Sequence, residues 1–414
     1  MENNLPKIHD VAIIGGGASG MMAAIIAARQ NKSVILIEKN AELGRKILAT
    51  GNGRCNLTNK FIESSRYHGG HPKFIESVLA QFDQFETMNF FENLGLILKE
   101  ENLGRIFPRS DQASSVVNAL IHELETNHVE IILNNQARKI EKLSNIFHTT
   151  LANGQKIISH KLILSTGGQA AEHLGTSGDA YFWLKNFGHS TTDLYPALAP
   201  LETKETWVKE VQGLKIEAKI TATVNNEKIY EKTGDALFTH FGVSGPAAMA
   251  QAGAIGQYLS NQEVKIHLDL FPEEQLPNLN IKFIKIIETS GAKQIKNVLA
   301  GIIPSNLSPL ILDQLGINPD KKAAEISKDD RKKIVEKIKN IELTIVKTRP
   351  FREAQVTHGG AILDQINPKT LESKIVPGLY LTGELLDVDG DSGGFNLQWA
   401  WSSGYLAGQS CSKI

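Results

Sequence analysis

The sequence predicts an α/β fold in which both ends of the chain contribute to one doubly wound unit. Residues 10–38 read as a strand, a glycine-rich turn, a helix and a second strand that ends in an acid. Residues 162–168 form another buried strand that runs into a glycine turn, and residues 378–387 repeat this pattern near the C-terminus. Because such strands are typical of open parallel sheets, we expect the three segments to share one sheet.

Composition excludes several classes of protein. The 414 residues include 44 Lys and Arg against 45 Asp and Glu, and a net charge of −1 gives no global basic field for nucleic acid or an anionic membrane. Two cysteines exclude a disulfide framework and a four-cysteine zinc site, so we expect no metal and a reducing cytoplasm. The first ten residues lack the pattern of a secretory signal. The apolar stretch 11–28 contains four glycines, which favours a strand, turn and helix over a membrane span.

The first element has the full context of a Rossmann-type dinucleotide site. The motif Gly15-x-Gly17-x-x-Gly20 lies between a strand and a helix, and Glu38 ends the next strand. Gly15 permits the tight turn, Gly17 lets the backbone approach a pyrophosphate, and Gly20 permits close packing of the helix. Glu38 can accept from both ribose hydroxyls and would repel a 2′-phosphate. We therefore predict a non-phosphorylated dinucleotide held by Gly15, Gly17, Ala18, Ser19, Gly20, Glu38 and Lys39.

Three later segments favour FAD, bound non-covalently, over NAD at this site. Residues 43–59 combine glycines, asparagines and basic residues beside the phosphate turn, and the strands at 162–168 and 378–387 end in glycines and acids. A carboxylate there can bind ribityl hydroxyls, and the helix from Asn396 can point its N–H groups at the flavin pyrimidine edge. The additional predicted cofactor residues are Arg45, Lys46, Asn52, Gly53, Arg54, Cys55, Asn56, Thr166, Gly167, Gly168, Gly383, Glu384, Asp387, Gly394, Asn396 and Leu397. For the three basic residues, pairing with an anionic substrate and a solvated face stay open as alternatives.

These motifs together resemble the bacterial YhiN/BaiN-like family of FAD-dependent oxidoreductases. The resemblance is carried by GGGASG at 15–20, GRKILATGNGRCNLTN at 44–59, LGRIFPRSDQAS at 103–114, YPALAPL at 195–201, LFTHFGVSGPA at 237–247 and the segment at 371–404 that includes GGFNLQWAWSSG. It implies a split FAD domain, a β-rich domain and a small helical domain. It also implies that a crossing strand with Ala137 contacts the adenine. The chain departs from the family after Gly168, where Ala170 and Glu172 replace the usual serine and proline.

Periodicity places the remaining elements in order. Residues 72–94 are predicted to be helical, with a capping box at Asp83 and Glu86 and a stop at Gly95. Residues 129–165 and 190–270 alternate like strands, with a turn at Asn225-Asn226, whereas 272–347 follow helical periods. We therefore expect an FAD domain from 1–190 plus 351–414, a β-rich domain from 191–271 and a helical domain from 272–350.

The acid–base chemistry has three candidate residues. His240 and His358 could each act as general acid or base, and Tyr195 could donate to a substrate carbonyl, although each could instead be a packing residue. Cys55 has no resolving cysteine nearby, which favours a structural role. No second GxGxxG follows a strand, so NAD(P)H, if used, has to meet the flavin transiently.

The leading hypothesis is NAD(P)H-dependent reduction of an activated C=C bond in a 3-oxo-steroid or bile-acid-like substrate, which the resemblance implies. The first alternative is oxygen-dependent oxidation of a small amine such as aminoacetone. The second is RNA binding through the helical domain, because residues 319–347 hold nine basic and six acidic residues. We expect a small-molecule substrate, no membrane partner and no nucleic acid, and the sequence leaves the oligomeric state open.

Overall fold

The computed structural model describes residues 7–412, which form two compact units. The first unit comprises the described residues up to Tyr195 and those from Gln355 onward, and the second comprises Pro196–Ala354. The expectation about a secretory signal rests on residues 1–10, of which only 7–10 are described.

A seven-stranded sheet organises the first unit. Its parallel part has the order Glu130–Ile132, Val34–Ile37, Ile8–Ile14, Lys156–Leu164 and Leu379–Leu381. Two antiparallel strands, Ile146–Leu151 and Ala137–Leu143, continue from the first half of Lys156–Leu164. Ile14 is level with both Ile37 and Leu164, and Leu164 is level with Leu381. Four parallel strands therefore end at one edge, which is where ligands bind in open α/β sheets.

Helices cover this sheet, as its apolar strands require. All four residues of Val34–Ile37 are buried, and ten of the eleven residues of the helix Ala18–Ala28 are buried. The helix is apolar all round because the C-terminal helix, Phe395–Cys411, packs against its outer side. A side chain at Gly404 would collide with the Ser19 carbonyl. The predicted strand, turn and helix in 11–28 are confirmed, and no helix within 7–412 has the length and apolarity to cross a membrane.

Shorter elements complete the first unit. The region 72–94, predicted as one helix, is two helices, because the first ends at Leu79 and Asp83 caps a second one with the capping box to Glu86. The helices are Arg45–Ala49, Pro72–Leu79, Gln84–Asn93, Ala113–Thr126 and Asp179–Asn186. The remaining strands are Thr58–Asn59, Tyr67–Gly69, Leu98–Glu101, Arg105–Pro108, Val356–His358 and Val388–Gly390, and Tyr195–Ala197 lies at the boundary of the units.

The second unit contains a closed six-stranded barrel and six helices. The barrel order is Leu201–Thr203, Gly242–Ser244, Glu227–Phe238, Lys215–Val224, Val264–Asp269 and Ile341–Thr348. The helices are Pro246–Met249, Gln251–Ile255, Leu276–Ser290, Ile295–Leu299, Leu307–Gln314 and Lys328–Lys339. The prediction of helical periods up to 347 is wrong from Ile341 onward. Ile334, Ile338 and Ile341 happen to continue a helical spacing, but Ile341, Leu343 and Ile345 alternate inward as the strand that closes the barrel.

Candidate functional site

The glycine turn after the first strand presents a helix N-terminus without a side-chain cap. Gly17 is the N-cap of Ala18–Ala28, no side chain bonds to the first turn, and that turn holds no acid. A Cβ on Gly17 would meet no atom within 4 Å, whereas a Cβ on Gly20 would collide with the Gly15 carbonyl. Gly20 is therefore required for packing. Gly17 leaves the backbone N–H groups open to an anion, and the helix dipole favours negative charge there.

Glu38 is buried at the end of the second strand, where it has two roles. Its carboxylate accepts from Gly16 N at 2.7 Å, Asn40 N at 2.9 Å and Asn40 Nδ2 at 2.6 Å. These bonds fix the glycine turn against the strand, which the sequence did not indicate. Because a carboxylate offers about four acceptor positions, one remains for a ribose hydroxyl.

A partly open cleft lies at the same sheet edge, between the first two strands and the crossing strand that begins at Ala137. Lys39 enters it and donates to Ser177 at 2.6 Å and to Asp179 at 3.0 Å. Burial raises the pKa of Asp179, but the bonds from Lys39 and Gln136 outweigh it and leave this pKa below its usual value. The predicted Gly15, Glu38, Lys39, Ala137 and Thr166 all line the cavity. Its lining, which combines apolar side chains with a few polar ones, fits an adenosine.

Sequence reasoning missed several residues of this cavity. Among them are Asn135, Gln136, Ser177, Asp179 and Trp183. Asp179 begins a helix just after the loop that departs from the family pattern, and its proximity to Lys39, 140 residues earlier, has no local signal in the sequence.

A second network connects the remaining strand ends. Lys46 Nζ donates to Glu384 Oε2 at 2.6 Å, and Glu384 Oε1 accepts from Thr357 N at 2.9 Å. The Thr357 hydroxyl accepts from Gln169 N at 2.8 Å and Ala170 N at 2.9 Å, directly after Gly168. A side chain on Gly168 would enter both Thr357 and Glu384. Lys46, Gly168 and Glu384 are therefore brought together, and Thr357 is the member that the sequence did not reveal.

The loop at 50–56 has an unusual backbone. Asn52, Gly53 and Cys55 all have positive φ, and Asn52 and Cys55 do so with a side chain. Strain of this kind persists where the surrounding structure requires it, often at functional sites. Cys55 is fully buried, and burial raises the pKa of its thiol to about 12. The thiol is therefore protonated at neutral pH, which favours the structural role for Cys55.

Two of the three basic residues that were predicted to contact the cofactor bind other parts of the protein instead. Arg54 donates to Glu101 at 2.9 Å and lies over the Phe107 ring at 4.2 Å. Arg45 donates to Asn40 Oδ1 at 3.0 Å and to the His173 carbonyl at 3.1 Å. Only Lys46 of the three points to the Glu384 network.

The C-terminal helix begins at a second uncapped N-terminus. Gly394 is its N-cap with φ of 100°, and a side chain there would collide with the Thr58 carbonyl. The Asn56 side chain accepts from Gly394 N at 3.1 Å. Asn396 braces the preceding segment by bonding both Gly390 N at 2.8 Å and Gly390 O at 2.7 Å. The N–H groups after Gly394, including that of Leu397, have no side-chain cap.

Tyr181 provides a direct indication of a missing partner. Its hydroxyl is inaccessible to solvent and has no hydrogen-bond partner within residues 7–412. Burial, followed by the charges of Glu384 and Asp387, raises the pKa of Tyr181, so these carboxylates lie near it. An orphaned donor of this kind is uncommon, and a ribityl or pyrophosphate oxygen would satisfy it. With Gly17, Glu38 and Gly168, the residues present fit a dinucleotide cofactor.

The three acid–base candidates have different surroundings. His240 is exposed in the second unit, where its ring packs edge-on against Phe241 at 5.0 Å. Tyr195 is half-buried, and its pKa is raised by desolvation and by nearby Asp193. His358 Nδ1 bonds Asp389 Oδ1 at 2.7 Å in the first unit. Asp387 is buried beside it, and burial raises the pKa of this carboxyl.

Known proteins resemble this chain over nearly its whole length. The family model described as HI0933-like protein Rossmann domain matches residues 9–410. The chain is 38% identical over 409 residues to the 3-dehydro-bile acid delta(4,6)-reductase of Clostridium scindens, covering 98% of this chain and all of that protein. It is 32% identical over 404 residues to the ribosomal RNA dihydrouridine synthase of Escherichia coli, covering 97% of each.

A solved structure agrees at the level of the fold. The 3-ketosteroid delta1-dehydrogenase of Sterolibacterium denitrificans, in complex with 1,4-androstadiene-3,17-dione, superposes with a TM-score of 0.52 at 12% identity. The match covers 98% of this chain and 99% of that one. Because the family model and both relatives cover almost the entire sequence, the protein is an FAD-dependent oxidoreductase that belongs to the HI0933-like Rossmann family, the YhiN/BaiN-like flavoproteins.

Proposed function

We propose that this protein reduces a carbon–carbon double bond conjugated with a carbonyl group, with NAD(P)H as the electron donor and a 3-oxo-steroid or bile acid as the substrate. The observation that carries the proposal is the 38% identity, over the whole length, to a reductase named for the delta(4,6) bonds of a 3-dehydro-bile acid. A 3-oxo group conjugated with such bonds activates them toward hydride addition.

The second relative supports the same reaction class on another substrate. A dihydrouridine synthase saturates the double bond of uracil, which is also conjugated with a carbonyl. Reduction of uridine in RNA is therefore the second candidate function. Helix Lys328–Lys339, with Lys or Arg at six of its positions, would be a surface for phosphates in that case. Oxidation of a small amine remains the third candidate.

The chain's own residues divide the work of holding the cofactor. FAD, when bound, accepts two electrons from one substrate and passes them to another. The N-terminus at Gly17 would bind the pyrophosphate, Glu38 would accept from the adenosine ribose, and Glu384, oriented by Lys46, would accept from the ribityl chain. The uncapped N-terminus after Gly394 would direct N–H groups to the pyrimidine edge.

Half-reactions studied without oxygen separate the candidates. We expect NADH or NADPH to remove the visible flavin absorbance, and a 3-oxo-4-ene steroid acid to restore it at a rate that depends on its concentration. If RNA that contains uridine restores the flavin absorbance and the steroid does not, the second candidate is favoured. If aminoacetone removes the flavin absorbance and neither NADH nor NADPH does so, amine oxidation is favoured and the proposal is contradicted.

Tyr181→Phe tests the cofactor arrangement directly. Because the hydroxyl has no protein partner, its removal should leave the apoprotein as stable as before and weaken FAD by about 1 kcal/mol, roughly fivefold. Fluorescence quenching on titration of the apoprotein with FAD measures this affinity. Tyr405→Phe is the control. Tyr405 lies in the second half of the helix Phe395–Cys411, and its ring stacks on that of Phe82. Equal FAD affinity in both variants would contradict a bond from Tyr181 to the cofactor.

A further inference from the structure

We propose that His358 is the acid that protonates the substrate in this reduction, and that Asp389 is the residue that positions it. This inference rests on the proposed function and assigns its proton source.

The first support is the geometry of the pair. His358 Nδ1 lies 2.7 Å from Asp389 Oδ1, and the Asp389 side chain is 5% exposed against 24% for His358. Nε2 of His358 has no hydrogen-bond partner within the described part of the chain. The carboxylate therefore holds the ring with its Nδ1–H directed at Asp389, and in the protonated ring the Nε2–H is available to a ligand. A buried carboxylate that orients an imidazole in this way is a recurrent feature of acid–base sites.

The second support is the position of the pair among the cofactor segments. Thr357, the neighbour of His358, donates its N–H to Glu384. Gly360 lies so close to the Leu386–Asp387 backbone that a side chain would not fit. Asp389 is in the strand Val388–Gly390, which Asn396 connects to the start of the C-terminal helix. His358 thus lies between the segment proposed to hold the ribityl chain and the helix proposed to face the pyrimidine edge.

Charges around the pair favour the protonated ring. Burial lowers the pKa of His358, but the bond to Asp389 and the charges of Asp389 and Asp387 outweigh it, so this pKa is raised. The strand Tyr67–Gly69 pairs with Val388–Gly390 and places His68 opposite Asp389. His68 is within 3.1 Å of Asp391, and Arg66 is within 3.4 Å of the same carboxylate. The Nε2 of His68 is thus already engaged with a carboxylate, unlike that of His358.

The other two candidates are less suited to this role. His240 is exposed and packs on Phe241, and no carboxylate contacts it within the described residues. Desolvation raises the pKa of Tyr195, so its hydroxyl is a weak acid at neutral pH. Only His358 combines a fixed ring, a free donor atom and a raised pKa.

The reaction balances with one hydride and one proton. The β-carbon of the conjugated carbonyl compound receives a hydride from the reduced isoalloxazine, whose two electrons come from NAD(P)H. The π bond opens toward the carbonyl, and the α-carbon of the resulting enolate takes the proton of His358 Nε2. The neutral imidazole then regains a proton from water, and Asp389 keeps its hydrogen bond to Nδ1.

The test compares His358→Gln and Asp389→Asn with wild type, after chemical reduction of the bound flavin by dithionite. Reoxidation by a 3-oxo-4-ene steroid should fall about 10²-fold in His358→Gln, while reduction by NADPH and FAD content stay within about twofold of wild type. In wild type, reoxidation should decline as pH rises through the raised pKa of His358. In Asp389→Asn this decline should begin at lower pH, because the charge that raises the pKa is removed.

A measurement that does not depend on turnover distinguishes a positioning role of Asp389 from a purely structural one. The imidazole signals of His358 in NMR should titrate above the ordinary histidine value of about 6.5 in wild type, and lower in Asp389→Asn. His122→Gln, on an exposed face of the helix Ala113–Thr126, should match wild type in every measurement.

The outcomes distinguish this inference from the proposed function. Wild-type enzyme that no conjugated carbonyl compound reoxidises would overturn the function and, with it, the acid. If the substrate reoxidises wild type and His358→Gln equally fast, the assignment of His358 as the acid is overturned and the proposed function is not. An unchanged His358 titration in Asp389→Asn would overturn the positioning role.

Discussion

Gly20→Ala should strongly destabilise the apoprotein, whereas Gly17→Ala should leave it folded but with weaker binding of FAD. A Cβ at Gly20 would collide with the Gly15 carbonyl oxygen, which belongs to the backbone of the glycine turn. Such overpacking costs typically about 1–3 kcal/mol, and the upper end is expected here because the clash is with backbone. Urea unfolding of the FAD-free protein measures this loss.

The matched variant isolates the cofactor from the fold. Gly17 has φ of −83°, which alanine adopts without strain, and its Cβ would meet no protein atom within 4 Å. Only a pyrophosphate at the helix N-terminus would be displaced, so FAD should bind about 30-fold more weakly, or about 2 kcal/mol. Normal FAD affinity in Gly17→Ala would show that the pyrophosphate lies elsewhere.

A chain that ends at residue 350 should neither fold its sheet nor bind FAD. It lacks the strand Leu379–Leu381, which pairs with Lys156–Leu164, and the helix Phe395–Cys411, which covers Ala18–Ala28. The lost helix carries Trp399 and Trp401, both almost fully buried. Losing a buried tryptophan costs about 3–5 kcal/mol. Two such losses approach the whole stability of a domain, which is about 5–15 kcal/mol.

Circular dichroism, thermal unfolding and flavin content measure the outcome for the shortened chain. Addition of a peptide with residues 351–414 during refolding should restore part of the flavin binding, because it returns the missing strand and helix. Wild-type flavin content and melting temperature in the shortened chain would contradict a cofactor domain made from both ends of the sequence.

The sequence by itself determined the features whose cause is local. The glycine spacing at 15–20 and the acid at Glu38 follow from one turn and two strands, so the strand–turn–helix–strand order could be read directly. The capping box at Asp83 and Glu86 and the turn at Asn225-Asn226 are likewise short-range hydrogen-bonding and backbone preferences. Whole-length resemblance then added the family and the class of reaction.

Tertiary structure alone decided the contacts between distant segments. Lys46 and Glu384 are 338 positions apart, and His358 and Asp389 are brought together where Gly360 approaches the backbone of Leu386 and Asp387. Whether Ile341 continues a helix or starts a strand depended on an inward face that only the closed barrel provides. The unpartnered hydroxyl of Tyr181 likewise follows only from how that side chain is buried. Periodicity reports which side of one element is apolar, but not which element covers it, because that depends on how all elements pack.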